Sequence, residues 1–148
     1  MNDVSVREAG EGDAHGLAVL CTQLGYPAEP AAMPARLARL QLDDNARAFV
    51  AVQGDELVGL VTIHLRDTLN HQTPIAQITL LVVDERTRSR GVGRALVEAC
   101  EGFARERGAR RIAVTTALDR AGAHEFYERV GYRHTGRRYA KNFPPSDA

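Results

Sequence analysis

The stretch that most constrains this chain runs from Gln77 to Leu96. Leu80-Leu81-Val82-Val83 is a four-residue apolar run, which suits a strand buried on both faces in mid-sheet. From Val92 the apolar period changes, and Val92, Ala95, Leu96, Ala99 and Phe103 recur at the spacing of one helical face. Between strand and helix lie a basic turn with Arg86, Arg88 and Arg90, and then Gly91 and Gly93. A glycine has no Cβ and lets a ligand approach the main chain closely. The first turn of a helix carries N–H groups with no intrahelical partner, and its dipole favours negative charge. With Arg94 just inside the helix, the unit reads as a cradle for phosphate.

Two common phosphate motifs do not fit. A dinucleotide fingerprint needs a third glycine where position 96 is Leu, and a P-loop needs Gly-Lys-Ser/Thr where Gly93 is followed by Arg94-Ala95. Arg88-Ser89-Arg90-Gly91-Val92-Gly93 instead resembles the acyl-CoA signature of the GNAT acetyltransferase superfamily, Arg/Gln-x-x-Gly-x-Gly/Ala. The flanking Leu81-Val82-Val83-Asp84 and Arg94-Ala95-Leu96-Val97 extend the likeness. A second stretch, Ala123 to Tyr132, resembles the family's other hallmark, Ala-x-x-Phe/Leu-Tyr-x-x-x-Gly-Phe/Tyr.

The resemblance implies acetyl-CoA as cofactor, held by Leu81, Val82, Val83, Arg88, Ser89, Arg90, Gly91, Val92, Gly93 and Arg94. A bulge in the central strand would turn main-chain groups of Leu81 and Val83 toward the pantetheine arm and the thioester carbonyl. Tyr127 matches the tyrosine that lies near the CoA sulfur and acts as general acid, protonating the departing thiolate. Read without the resemblance, Tyr127 is a core tyrosine on the apolar face of its helix. Two positions depart from the family pattern. Arg120 stands where an asparagine touches the pantetheine, and Gln77 stands where several relatives carry a glutamate base. An amide cannot accept a proton at useful pH. His64, Asp67 and His71 are the remaining candidates, and an imidazole titrates nearest neutrality, which favours His64. His124 is expected to be structural or a neighbour of phosphate.

Composition adds bounds. A length of 148 residues suits one domain spanning 1–148, with 44% hydrophobic and 26% charged residues as in ordinary globular chains. Nineteen basic and nineteen acidic residues cancel, so no global field points to nucleic acid or membrane. Cys21 and Cys100 are too few for a disulfide framework, and Met1-Asn2-Asp3 lacks a signal-peptide pattern. The expectation is a cytoplasmic chain.

In order, Val4–Ala9 reads as a strand, then Gly12-Asp13 offers an N-cap to a helix carrying Leu17, Leu20, Cys21 and Leu24. A short helix runs from Pro30 or Pro34 to Leu42. Ala46–Gln53 and Leu57–Leu65 form a hairpin, and Arg66–Pro74 is a polar loop. The strand–cradle–helix unit closes near Arg107. A strand at Arg110–Thr116, a helix at Ala121–Val130 and an alternating strand at Tyr132–Lys141 complete the chain. The predicted fold class is α/β in the mixed (α+β) sense, and the resemblance implies one central sheet of six to seven strands with about four helices.

The function this implies is an acetyl-CoA-dependent N-acetyltransferase acting directly on a primary amine of a small molecule. Neither cysteine has a nucleophile's setting. Rival readings are a non-catalytic acyl-CoA sensor, favoured by Gln77, and acetylation of a protein or peptide amine. A nucleotide-phosphate binder of another fold suffers from the missing glycine and lysine. No metal is expected, the acceptor is not legible, and a homodimer is compatible with the sequence.

Overall fold

Alternation along residues 46–66 becomes a hairpin in which β2 (Ala46–Gln53) and β3 (Glu56–Arg66) pair antiparallel around a two-residue Gly54-Asp55 turn. This architecture comes from a computed structural model that describes residues 3–87, 91–115, 121–136 and 138–145. The chain falls into two units, Met1–Val114 and Thr115–Ala148. In the first, β1 (Val4–Glu8) adds beside β2 and β4 (Ile75–Val83) beside β3, both antiparallel. The short β5 (Arg111–Val114) then joins β4 in parallel, so the order is β1-β2-β3-β4-β5. A parallel neighbour requires a crossover, and α3 (Val92–Glu106) provides it.

Each face of the sheet is covered by helices whose apolar stripes were legible. On one face, α1 (Ala14–Leu24) and α2 (Met33–Gln41) bring Leu17, Leu20, Met33 and Leu37 onto Val50, Leu60 and Val82. Burial of this kind stabilises by roughly 1.5–3 kcal/mol per large side chain. On the other face, α3 buries Val92, Leu96, Cys100 and Phe103. The approach is closest at Gly59, where an added Cβ would meet Leu96 Cδ1 at 2.8 Å and Val92 Cγ1 at 3.0 Å. Glycine in β3 therefore lets the start of α3 press onto the sheet.

The second unit holds α4 (Ala121–Arg129), which ends in a hydrogen bond from the Tyr132 N–H to the Tyr127 carbonyl at 2.9 Å. The strand expected at Tyr132–Lys141 does not form among its described residues, which are irregular and largely exposed. Alternation alone does not make a strand without a neighbouring strand to pair with, none is found for this segment among the described residues, and Gly136 weakens it further. The described residues thus contain five strands rather than six or seven, with four α-helices as expected. The expected burial of Leu80–Val83 is also only partly realised. Val82 is buried, while Leu80, Leu81 and Val83 are half-buried.

Asp13 differs from its expected role. Its carboxylate makes no N-cap bond to α1. Instead it accepts a fork of hydrogen bonds from Arg7 Nη1 (2.8 Å) and Nη2 (2.9 Å), and another from the Gly10 N–H at 2.7 Å. The Arg7 guanidinium holds the Asp13 carboxyl below the usual carboxylate range. A carboxylate with a lowered folded pKa contributes stability above its unfolded value, and that stability is lost as pH falls through the folded value. Wild-type melting temperature is accordingly expected to drop as pH is taken from about 5 to about 2.5. Asp13→Asn should melt lower at pH 7 and show a shallower acid slope in circular-dichroism melts. Parallel slopes for the two proteins would contradict the Arg7–Asp13 assignment.

Candidate active site

The site begins with one extra residue in β4. β3 and β4 pair Thr62 with Leu80 but Ile63 with Ile78, which leaves Thr79 as a bulge. Side chains two apart on a regular strand share a face, yet Ile78 and Leu80 do not. Leu80 and Val82 pack into the core under α1 and α2, while Ile78 pairs with Ile63 on the opposite face. The bulge also reorients the main chain. The Asp84 N–H donates to the Val58 carbonyl at 2.8 Å, so hydrogen-bonded pairs alternate from there through Leu60–Val82 and Thr62–Leu80. Leu81 and Val83 then direct their N–H and C=O groups away from β3, toward the β5 side. Among the described residues, parallel pairing with β5 ends at Ile78–Val114, and Leu81 lies beyond that pair.

The second component is the start of α3. Gly91 has φ +81°, a left-handed conformation in which L side chains are strained, and a Cβ built there meets no atom within 4 Å among the described residues beyond its chain neighbours. The first intrahelical bond runs from the Ala95 N–H to the Gly91 carbonyl at 3.1 Å, so the N–H groups of Val92, Gly93 and Arg94 precede the helical ladder. Val92 is buried and pins this turn against β3, Gly93 is half-buried and Arg94 is exposed. Arg88, Ser89, Arg90 and Arg120 lie outside the described residues. Arg86 does not offer its charge to the cradle. Its guanidinium pairs with Asp84 at 3.0 Å and with Glu56 at 3.4 Å.

The third component was missed as a group. Thr62, His64 and Arg66 alternate with buried Val61, Ile63 and Leu65, so β3 presents a polar stripe with side chains roughly 7 Å apart. Gln77 pairs directly with His64 across the ladder. The Thr62 and Thr79 hydroxyls hydrogen-bond at 2.6 Å, and Arg66 donates to Gln77 Oε1. The period-two polarity of Thr62-x-His64-x-Arg66 was the available signal. Of the expected base candidates, His64 stands half-buried in this stripe. Asp67 is exposed in the following loop, and His71 Nδ1 pairs with Thr68 Oγ1 within that loop at 2.9 Å.

In the second unit Tyr127 is buried, its ring edge-on to Phe126 at 5.2 Å and tilted against Tyr132 at 5.8 Å. His124 is half-buried in the same helix. Burial pushes the Cys100 thiol up to about 12 and raises Cys21, so neither is a ready nucleophile. Among the described residues no cluster of His, Cys, Asp and Glu could hold a metal ion.

Comparison with known proteins bears on this geometry. The profile of the Acetyltransferase (GNAT) family matches residues 15–132. The aminoalkylphosphonate N-acetyltransferase of Salmonella typhimurium is 34% identical over 100 residues, which is 68% of this chain and 65% of that protein. The aminoglycoside N(6')-acetyltransferase type 1 of Stenotrophomonas maltophilia is 28% identical over 137 residues, 90% of this chain and 88% of its own length. Across five other comparisons with curated relatives, the one from Salmonella included, the matched segment spans from 40% to 67% of the relative's length. A transcriptional regulator from Bacillus halodurans C-125 superposes with a TM-score of 0.88 at 27% identity, over 95% of this chain and 100% of that one. An aminoglycoside N-acetyltransferase solved with CoA superposes with a TM-score of 0.85 at 19% identity, over 97% and 96%.

The open space at Gly91 generates a direct test. Gly91→Val is expected to abolish measurable CoA binding in isothermal titration, because its branched side chain would fill the space that an approaching phosphate needs. The strained φ should also cost about 1–2 kcal/mol of stability. A folded variant with unchanged CoA affinity would remove this turn from the site.

Proposed function

Because the chain belongs to the GNAT acetyltransferase family, we propose that it is an acetyl-CoA-dependent N-acetyltransferase acting on a primary amine of a small molecule. The observation that carries this reading is the pairing of the Thr79 bulge, with Leu81 directed away from β3, and the Gly91 turn that opens α3. These groups suit the two ends of a CoA molecule: main-chain donors for the acyl end, and an open first helical turn for phosphate. When bound, acetyl-CoA supplies the thioester from which the acetyl group is transferred.

The chain's own residues then take the remaining tasks. In this reading Arg88, Ser89, Arg90, Gly91, Val92, Gly93 and Arg94 hold the pyrophosphate, and Leu81, Val82 and Val83 line the pantetheine arm. The Leu81 N–H is the donor offered to the carbonyl oxygen as negative charge develops there. His64 accepts the proton that the acceptor ammonium gives up, and the polar stripe from Thr62 to Arg66 receives the acceptor. Tyr127 donates a proton to the departing thiolate, and residues 1–148 work as one catalytic domain. Support for a small acceptor comes from relatives named for aminoalkylphosphonate and aminoglycoside acetylation. Two free thiols, and the absence among the described residues of any helix long and apolar enough to cross a membrane, fit a cytoplasmic setting.

A second reading, an acyl-CoA sensor without turnover, is favoured by one observation. Gln77 stands at the position of the family's acidic base, and its side-chain oxygen is engaged by Arg66. Tyr127→Phe separates the two readings. Thiol release from acetyl-CoA over a panel of primary amines should fall by roughly 10²–10⁴-fold in kcat, the worth of a placed general acid. Affinity for acetyl-CoA should barely change, since the hydroxyl acts chiefly in the transition state. If turnover stays at the wild-type level while melting temperature falls, Tyr127 is a core residue and not the acid. Wild-type protein that binds acetyl-CoA yet turns over with no amine would support the sensor.

A further inference from the structure

One buried charge has no part in the chemistry above. Asp84, only 2% exposed, stands where β4 ends. A buried carboxylate is costly unless it is fully paired, and this one is. Its Oδ1 accepts from the Arg86 main-chain N–H at 2.9 Å and from Arg86 Nε at 3.2 Å, and its Oδ2 accepts from Arg86 Nη2 at 3.0 Å. Gln23 in α1 meets the same turn, accepting from the Glu85 N–H at 3.3 Å. Arg86 holds the carboxyl below the usual carboxylate range, which keeps it ionised at working pH. The Asp84 main chain is equally engaged. Its carbonyl accepts from the Thr87 N–H at 2.9 Å and the Thr87 hydroxyl at 3.1 Å.

Further bonds tie the turn to two other elements, β3 and α1. Val58 of β3 accepts from the Asp84 N–H, Gln23 of α1 accepts from the Glu85 N–H, and Arg86 reaches Glu56 at the start of β3. The turn at 84–87 is therefore fixed to the sheet, to α1 and to the hairpin before the chain continues toward Gly91. Thr87 is buried on one side of residues 88–90, and Val92 is buried on the other.

We propose that Asp84 is a positioning residue for CoA, holding the 84–87 turn so that the first N–H groups of α3 are presented to phosphate. The proposal rests on the reading of Leu81 and the α3 turn as the cofactor site. It assigns Asp84 no contact with the cofactor. Its signature is a loss of CoA affinity that an isosteric amide largely restores, since an Asn oxygen still accepts from the Arg86 main-chain N–H.

The experiment measures CoA affinity by isothermal titration, with melting temperature on the same preparations, for wild type, Asp84→Ala, Asp84→Asn and Arg86→Ala. Asp84→Ala should raise the Kd roughly tenfold, the fold-change of one lost charge-assisted hydrogen bond. Asp84→Asn should stay within about threefold of wild type by the same scale. A folded Asp84→Ala with a lower melting temperature but wild-type Kd would overturn the proposal and leave a purely structural residue. Should that variant fail to fold, exposed Arg86→Ala decides: a Kd raised by about fivefold or more supports the role, and a Kd within about threefold of wild type overturns it. A wild-type chain that binds no CoA would overturn the cofactor site itself, and the Asp84 role with it.

Discussion

A single extra residue, Thr79, interrupts the β3–β4 ladder, and the layout of the candidate site follows from it. Without the bulge, Ile78 and Leu80 would share a face and the main chain of Leu81 would remain in the ladder with β3. With it, Ile78 and Val82 both reach apolar cores, on opposite faces, and Leu81 directs its polar groups to the β5 side, past the last β4–β5 pair among the described residues. A bulge costs ladder hydrogen bonds, and here the cost is offset by the burial of apolar residues on both sides of the defect. Thr62 and Thr79 join their hydroxyls across the defect at 2.6 Å, which supplies a local partner where the ladder is irregular.

Two ionic clusters hold the turns at which β1 and β4 leave the sheet. Arg7 and Gly10 take up the Asp13 carboxylate, fixing the exit of β1 into α1. Arg86 takes up Asp84 and Gln23 accepts from the Glu85 N–H, fixing the turn that follows β4. In each case the carboxylate is buried and its arginine is largely exposed, so the guanidinium remains solvated while the acid is fully paired. The arrangement avoids the heavier desolvation cost of burying both partners.

Much of the first unit was legible because its signals are local. Apolar spacing along Val92–Phe103 marked α3, alternation with Gly54-Asp55 marked the hairpin, and Gly91 marked a turn that needs no Cβ. What was not legible depends on long-range partners. Gln77-Ile78-Thr79-Leu80-Leu81 is a plausible strand in either parity, so the bulge could be expected from family resemblance but not placed by pattern. Asp13 looked like a helix cap because Arg7, its true partner, is six residues away across a turn. Arg86 looked like one more cation for phosphate until Asp84 and Glu56 were seen beside it. The alternating residues after Tyr132 lacked a partner strand among the described residues, and alternation without a partner leaves no ladder.

The site reading rests on two sets of main-chain N–H groups, those of β4 past its bulge and those at the start of α3. Backbone amide spectra recorded while CoA is titrated into isotopically labelled protein observe them directly. If these groups hold the cofactor, the amides of Leu81, Val83, Gly91, Val92 and Gly93 should show the largest shifts, saturating together, while those of β1 and β2 stay in place. Saturable CoA binding that leaves Leu81 and Gly91 to Gly93 unshifted and moves another part of the chain would contradict it.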